Sequence, residues 1–220
     1  VITIHHALDL KKYRPEAYDP GPVRENLGVS ETDLVVGSVG RISPGKGYEA
    51  FLQTAKRVVQ TEGFERSKFV IVGSASYGEE AYFDSIVHLS TTLGLESNVI
   101  FAGYRQDIPD LLRAMDVFIF PSQAEGLGAT LIEAMAMGVP CVSTNSDGTR
   151  DIIENQVSGF TVDPDNAQAM ADATMELLQD EDTRSRIATA GRMRVREKFD
   201  LEVMMDKIDQ VYEESRKHNE

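Results

Sequence analysis

The chain has 220 residues, 41% of them hydrophobic, enough to bury the core of one large or two small domains. It carries 36 acidic against 22 basic residues, a formal net charge of −14, which argues against nonspecific nucleic-acid binding, because that relies on cations neutralising phosphates. No apolar stretch approaches the ~18 residues of a membrane span, no charged-then-apolar leader opens the chain, and a single cysteine excludes an internal disulfide.

Residues 1–24, with Pro15, Pro20, Gly21 and Pro22, read as a strand followed by a linker and turns. The chain begins at Val1 rather than Met, which points to an upstream part. His5 and His6 lie in this stretch, but they have no further ligands at metal-binding spacing. Short apolar, β-branched runs then recur at 34–39, 69–72, 99–102, 117–120, 141–143 and 160–162. Most are separated by segments with helical spacing of apolar residues, such as Tyr48, Phe51, Leu52, Ala55, Val58 and Val59. This alternation predicts an α/β domain with a mainly parallel six-stranded sheet, covered on both faces because its strands are apolar throughout. Ligands of such sheets sit beyond the carboxyl ends of the strands, where strand order reverses. The turns after Val39, Val72, Ala102 and Ser122 lie at those ends.

Acidic residues concentrate at 176–182 and 213–220, where solvated helical faces are the default reading. Cys141 reads as a buried structural thiol, and Met115, Met135 and Met137 as packing residues. Near the carboxyl terminus Leu201, Met204, Met205, Ile208, Val211 and Tyr212 form a helical apolar stripe.

The segment EGLGATLIE (125–133) follows the apolar run VFIFPS (117–122) directly and places three chemical tools at one strand-to-helix junction. Gly126 and Gly128 let the backbone turn tightly and approach a ligand. A helix opening near Gly128 leaves unpaired N–H groups as an anion site. Glu125 lies before that helix and Glu133 inside it, so both can accept from hydroxyls around one anion. A phosphate flanked by hydroxyls describes a nucleotide sugar.

GRISPGKG (40–47) also follows a strand and precedes a helix, and it satisfies most of a P-loop pattern. A P-loop needs Ser or Thr after its Lys to hold Mg²⁺; here the residue is Gly47, and the run from Val117 ends in Pro121-Ser122 instead of a metal-binding Asp.

Together with VGRISPGKG (39–47), FVIVGSAS (69–76), VIFAGYRQDIPDLLRAMDVFIFPS (99–122), SDGTRDII (146–153) and GFTVDPDN (159–166), EGLGATLIEAMAMGVP resembles the retaining GT-B glycosyltransferases of the group 1 (family 4) type. The six motifs stand in the family's order over nearly the whole chain. HHALDLKKYRP is similar to the family's interdomain connection, although Asn-Gly often stands there in place of His6-Ala7. The resemblance implies one half of a GT-B fold, a Rossmann-like three-layer α/β/α donor domain. It divides the chain into a linker and first strand at 1–24, the nucleotide-sugar-binding domain at 25–198, and a closing helix at 199–220. That helix either packs toward an amino-terminal domain or belongs to this chain's own core.

By the same resemblance Arg41 and Lys46 converge on the donor diphosphate, with Gly40 beside them, as the catalytic cations of a site without a bound metal. An isolated Arg and Lys would otherwise read as surface residues flanking a turn. Glu133 is implied to accept from the ribose hydroxyls, and Glu125 from hydroxyls of the transferred sugar. Glu125 then acts by positioning and charge and not as a nucleophile, because the family reacts on the donor's front face. On the dipole argument alone, Glu133 would be an acid placed early in a helix. The backbone of Gly126, Leu127, Gly128, Ala129 and Thr130 is implied near the phosphates, and the segment from Gly103 to Ile108 near the nucleobase.

Three positions depart from the family pattern. Asp147 replaces the first glycine of a Gly-Gly turn and could reshape the sugar pocket. Ala129-Thr130 replaces a bulky apolar pair, which frees the Thr130 hydroxyl for a phosphate. Asp151 stands where Glu is common and reads as an acid near the start of the next helix.

The expected function is transfer of a hexose from a nucleoside-diphosphate sugar to an acceptor hydroxyl with the α-configuration kept. No cofactor is implied. The expected partners are the donor and an amino-terminal acceptor domain, without which the chain should have little activity. The resemblance implies a cytoplasmic enzyme, with peripheral contact at the inner membrane in the full-length protein. Two rivals belong to other classes: a nucleotide-sugar epimerase of the same architecture, and a non-catalytic binding module that serves assembly.

Overall fold

The computed structural model describes residue 4 and residues 7–217, apart from the side chains of Asp147 and Lys217. His5 and His6 lie outside the described residues, as do 218–220 of the acidic carboxyl terminus.

Six strands form one sheet: β1 (Val35–Val39), β2 (Lys68–Val72), β3 (Val99–Gly103), β4 (Val117–Phe120), β5 (Cys141–Thr144) and β6 (Phe160–Val162). Their order is β3-β2-β1-β4-β5-β6 and every pairing is parallel. Each strand is the β-branched, apolar run expected from the sequence, with its ends shifted by no more than one residue. Parallel pairing requires a crossover between neighbours, and helices supply it on both faces.

One face is covered by α1 (Pro20–Asn26), α4 (Ile108–Arg113), α5 (Ala129–Ala136) and α8 (Glu181–Phe199). Their Val23, Leu111, Leu131, Met135 and Val195 pack with Val70, Phe118 and Cys141 of the sheet. The other face is covered by α2 (Tyr48–Val59), α3 (Glu80–Thr92) and α7 (Ala167–Gln179), through Phe51, Ile86, Met170 and Leu177 against Val36, Phe69, Ile71 and Val142. Phe51 meets Phe69 edge to face with centroids 5.7 Å apart. Burying a side chain of this size contributes about 2–3 kcal/mol. The result is a three-layer α/β/α Rossmann-like domain.

Cys141 is fully buried, as expected; its thiol donates to the Val139 carbonyl at 3.2 Å, and burial pushes its pKa up. Met115, Met135 and Met137 are buried packing residues. The acidic stretch 176–182 is not one helix. It breaks at Asp180, whose carboxylate accepts from the backbone N–H of Asp182 and Thr183 and so caps α8.

Two expectations at the chain ends need correction. Among the described residues before position 25, the expected strand is a single parallel bridge between Leu8 and Asp200. Two 3-10 turns, Leu10–Lys12 and Pro15–Ala17, follow it, and then α1, which Pro20 opens and Asp19 caps. Prolines fix φ and remove donors, which favours turns and helix starts over a ladder. At the other end Phe199 is the fully buried last residue of α8, and α9 (Leu201–Lys217) begins beyond Asp200. No described side chain of α9 is fully buried, and Leu201, Met205 and Tyr212 are exposed, so the stripe is not part of the described core.

Candidate functional site

β1 and β4 are adjacent in the sheet, but the chain runs outward from them in opposite directions, toward β2 and β3 and toward β5 and β6. The carboxyl ends of these two strands therefore diverge into a crevice, the usual ligand position in open parallel sheets. A cavity of about 180 Å³ opens there, and Arg41, Lys46, Glu125, Leu127, Ala129 and Thr130 line it. An adjoining cavity of about 330 Å³ shares Gly40, Arg41 and Thr130 with the first and adds Arg105, Ile108 and Glu133. A third, of about 270 Å³, adjoins on the other side and is walled by Glu125, Gly126, Leu127, Gly148, Asp151 and Phe199.

Ten of the eleven site residues taken from the sequence thus line one or more of three connected cavities. The exception is Gly128, which caps α5 against the ring of Phe120 and turns the chain without facing a cavity. Glu125 and Glu133 do not share a cavity. Glu125 belongs to the first and third and Glu133 to the second, while Arg41 reaches the first and second. A ligand touching both carboxylates must therefore span the crevice with an anionic middle portion.

Local packing explains how the loops are set. Gly47 has φ +75°, and a Cβ there would lie 1.9 Å from the Pro121 carbonyl oxygen. Glycine is required at this position, which is why the P-loop-like run cannot end in Ser or Thr. The close approach fastens the loop to the end of β4, aided by a hydrogen bond from Gln123 N–H to the Gly45 carbonyl at 2.9 Å. Lys46 is thereby aimed inward and forms an ion pair with Glu125. Ser122, buried below, donates to the same Glu125 oxygen at 3.1 Å.

Gly148, in the short helix α6 (Asp147–Arg150), lies under the Glu125 loop, where a Cβ would meet the Glu125 carbonyl oxygen at 2.2 Å. Asp151 is the C-cap of α6, not an acid at the start of the next helix, because a loop and β6 intervene before α7 begins. The side chain of Asp147 lies outside the described residues.

The electrostatics are uneven. Arg41 is exposed and makes no ion pair or hydrogen bond among the described residues, whereas Arg105, which lines the same cavity, is tied to Asp107 and to Asn26. That pairing holds the Asp107 carboxyl below its ordinary value. The first turn of α5 presents leading N–H groups that lack i−4 partners, although the Ala129 N–H is committed to the Leu127 carbonyl at 2.9 Å. The Thr130 side chain lies between the two main cavities. Glu133 is mostly enclosed, and burial pushes its carboxyl above the ordinary range. Among the described residues, no three His, Cys, Asp or Glu side chains gather where they could hold a metal ion.

One contributor escaped the sequence reading: Ser122 supports Glu125, and its place directly before the loop is a signal that could have been used.

A family model for glycosyl transferases group 1 matches residues 22–194. The chain belongs to this family. Among the group 1 relatives, the Escherichia coli UDP-Gal:alpha-D-GlcNAc-diphosphoundecaprenol alpha-1,3-galactosyltransferase is 29% identical over 213 residues, covering 96% of this chain and 54% of that protein. The structure of Anabaena HepE in complex with UDP-glucose superposes with a TM-score of 0.86 at 29% identity, over 96% of this chain and 57% of that one. The carboxyl-terminal domain of a group 1 protein from Francisella tularensis shares the fold, with a TM-score of 0.76 at 22% identity, and this chain covers 99% of it. The chain spans about half the length of the full relatives it matches. Its fold is the Rossmann-like half of a GT-B glycosyltransferase.

Proposed function

We propose that this chain is the donor-binding half of a retaining, metal-independent hexosyltransferase that uses a nucleoside-diphosphate sugar. The observation that carries this reading is the gathering of Arg41, Lys46 and the N-terminus of α5 at the β1/β4 crevice, with one carboxylate cavity on either side. An anion with hydroxyl-bearing groups at both ends fits that sequence of charges. The relatives' names and ligands, UDP-Gal and UDP-glucose, belong to the same chemical class.

The diphosphate lies between Arg41 and Lys46. Arg41 engages two oxygens through its planar fork and Lys46 acts as a point charge. Glu133 accepts from the ribose hydroxyls, and Glu125, held by Lys46 and Ser122, accepts from hydroxyls of the sugar. As the bond between the anomeric carbon and the diphosphate oxygen breaks, negative charge grows on the departing group. The two cations and the helix N–H groups stabilise that charge more than the ground state. The acceptor oxygen bonds to the anomeric carbon on the face being vacated, and its proton passes to the departing phosphate oxygen. An amino-terminal domain would supply the acceptor and exclude water; transfer by this chain alone is expected to be slight and to rise when that domain is added.

Calorimetric titration with UDP, GDP and ADP, with and without Mg²⁺, tests the reading. Saturable binding of one nucleotide, unchanged by Mg²⁺, lost in Arg41→Ala and weakened in Glu133→Ala, is the expected result. A folded chain that binds none of them, or that binds equally well after both substitutions, would refute it.

A further inference from the structure

We propose that Tyr48 is a positioning residue for Arg41: its hydroxyl holds the Gly40 carbonyl and so fixes the turn that presents the Arg41 guanidinium to the donor diphosphate. The inference rests on the donor-site reading above and deepens it with a residue that acts through the backbone next to a cation.

The backbone decides where Arg41 points, because no partner holds its side chain. Among the described residues its guanidinium makes no ion pair or hydrogen bond, yet Arg41 lines both the cavity of about 180 Å³ and that of about 330 Å³. The residue before it is Gly40. Glycine tolerates most backbone conformations, so the peptide between 40 and 41 would turn freely unless other contacts restrained it.

Those contacts are present. The Gly40 N–H donates to the Val72 carbonyl at 3.0 Å, and the Ile42 N–H donates to the Ser74 carbonyl at 2.9 Å. The pairing of β1 with β2 thus continues on either side of Arg41. The Gly40 carbonyl oxygen also approaches Gly73 so closely that a Cβ there would lie 1.9 Å away, with φ at +148°. The Tyr48 hydroxyl donates to that same oxygen at 3.1 Å.

Tyr48 is itself well fixed. It opens α2 directly after Gly47, whose close approach to Pro121 is described above, and its ring is 2% exposed in the apolar cluster that holds Ile42 and Phe51. Burial pushes its pKa up, so the phenol keeps its proton and remains a donor. Tyr48, Gly40 and Arg41 all line the first cavity. Without the hydroxyl, the Gly40 carbonyl can turn toward that cavity and the 40–41 peptide rotates with it. The planar fork of Arg41 then loses the orientation in which it engages two oxygens at once.

The test is a double-mutant cycle of Tyr48→Phe with Arg41→Lys, read by titration with the nucleoside diphosphate that the wild-type chain binds. Phe keeps the ring and removes only the donor, and a cooperative melt establishes that each variant is folded. With Arg41 present, Tyr48→Phe should lower affinity by about 3- to 10-fold, the effect of one lost hydrogen bond. In the Arg41→Lys background the loss should shrink to less than about twofold, because a point charge on a flexible stem does not depend on how the peptide is turned. Equal losses in both backgrounds would mean that Tyr48 merely supports the fold and would overturn the proposal. Wild-type affinity in Tyr48→Phe would overturn it too, while leaving the donor site intact. A wild-type chain that binds no nucleoside diphosphate would overturn the donor reading and this proposal together.

Discussion

Gly47 and Glu133 show how single residues set the chemistry of this site. The Pro121 carbonyl occupies the space a Cβ at position 47 would need, and φ at this residue is positive. Gly47→Ala should therefore lift the loop from β4, turn Lys46 away from Glu125, and reduce nucleotide affinity by about tenfold or more, alongside a lower Tm. Calorimetry and thermal melts would show both effects. Glu133 carries the opposite kind of tension. Its folded pKa is raised by burial, so its ionised form costs stability at neutral pH. Glu133→Gln should raise Tm by about 1–3 °C near neutral pH while weakening nucleotide binding. The gain should fade as pH falls through the raised folded value and vanish below the ordinary 4.5, where the wild-type group is neutral in both states. A melting series across that range reads the sign directly.

Among the elements, β1 depends on an anchor at its first residue. Asp116, just before β4, accepts from the Val35 N–H at 2.8 Å and from Arg24 of α1 at 3.0 Å, while Arg24 also reaches the Ala114 carbonyl at 3.1 Å. One carboxylate thus joins α1, β1 and the α4–β4 turn at the end of the sheet opposite the cavities. Asp116→Ala leaves a half-buried guanidinium and a strand N–H without their acceptor, and should cost about 2–3 kcal/mol. Denaturant unfolding would register this as a lower midpoint at constant slope. The nucleotide Kd of the folded protein should not change, because the anchor and the site lie at opposite ends of the strands.

For the whole molecule, the −14 charge repels an anionic donor, so attraction has to be local. Arg41, Lys46 and the α5 N-terminus supply it where β1 and β4 diverge. On the donor reading proposed above, fixed cations perform this neutralisation, so nucleotide binding should survive EDTA with an unchanged Kd, measured by titration before and after chelation. The described residues contain no helix long and apolar enough to cross a membrane. The exposed Leu201, Met205 and Tyr212 on α9 find no cover among the described residues of this chain, which matches roughly half the length of its relatives.

The sequence by itself determined the strand and helix order, the sheet type and most of the residues that line the candidate crevice, because these depend on local signals. Apolar runs of strand length, helical spacing and glycines before helix starts are legible within a few residues of one another. It also placed Glu125, Arg41 and Lys46 at strand ends, where parallel sheets bind ligands. Tertiary structure alone decided the contacts made across the fold. The Lys46–Glu125 pair spans 79 positions, the Gly47–Pro121 packing brings two strand ends together, and the Leu8 bridge to Asp200 ties the chain near its start to the α8–α9 junction. No periodicity or spacing encodes such meetings. They follow from the tertiary fold, which puts chain-distant segments side by side.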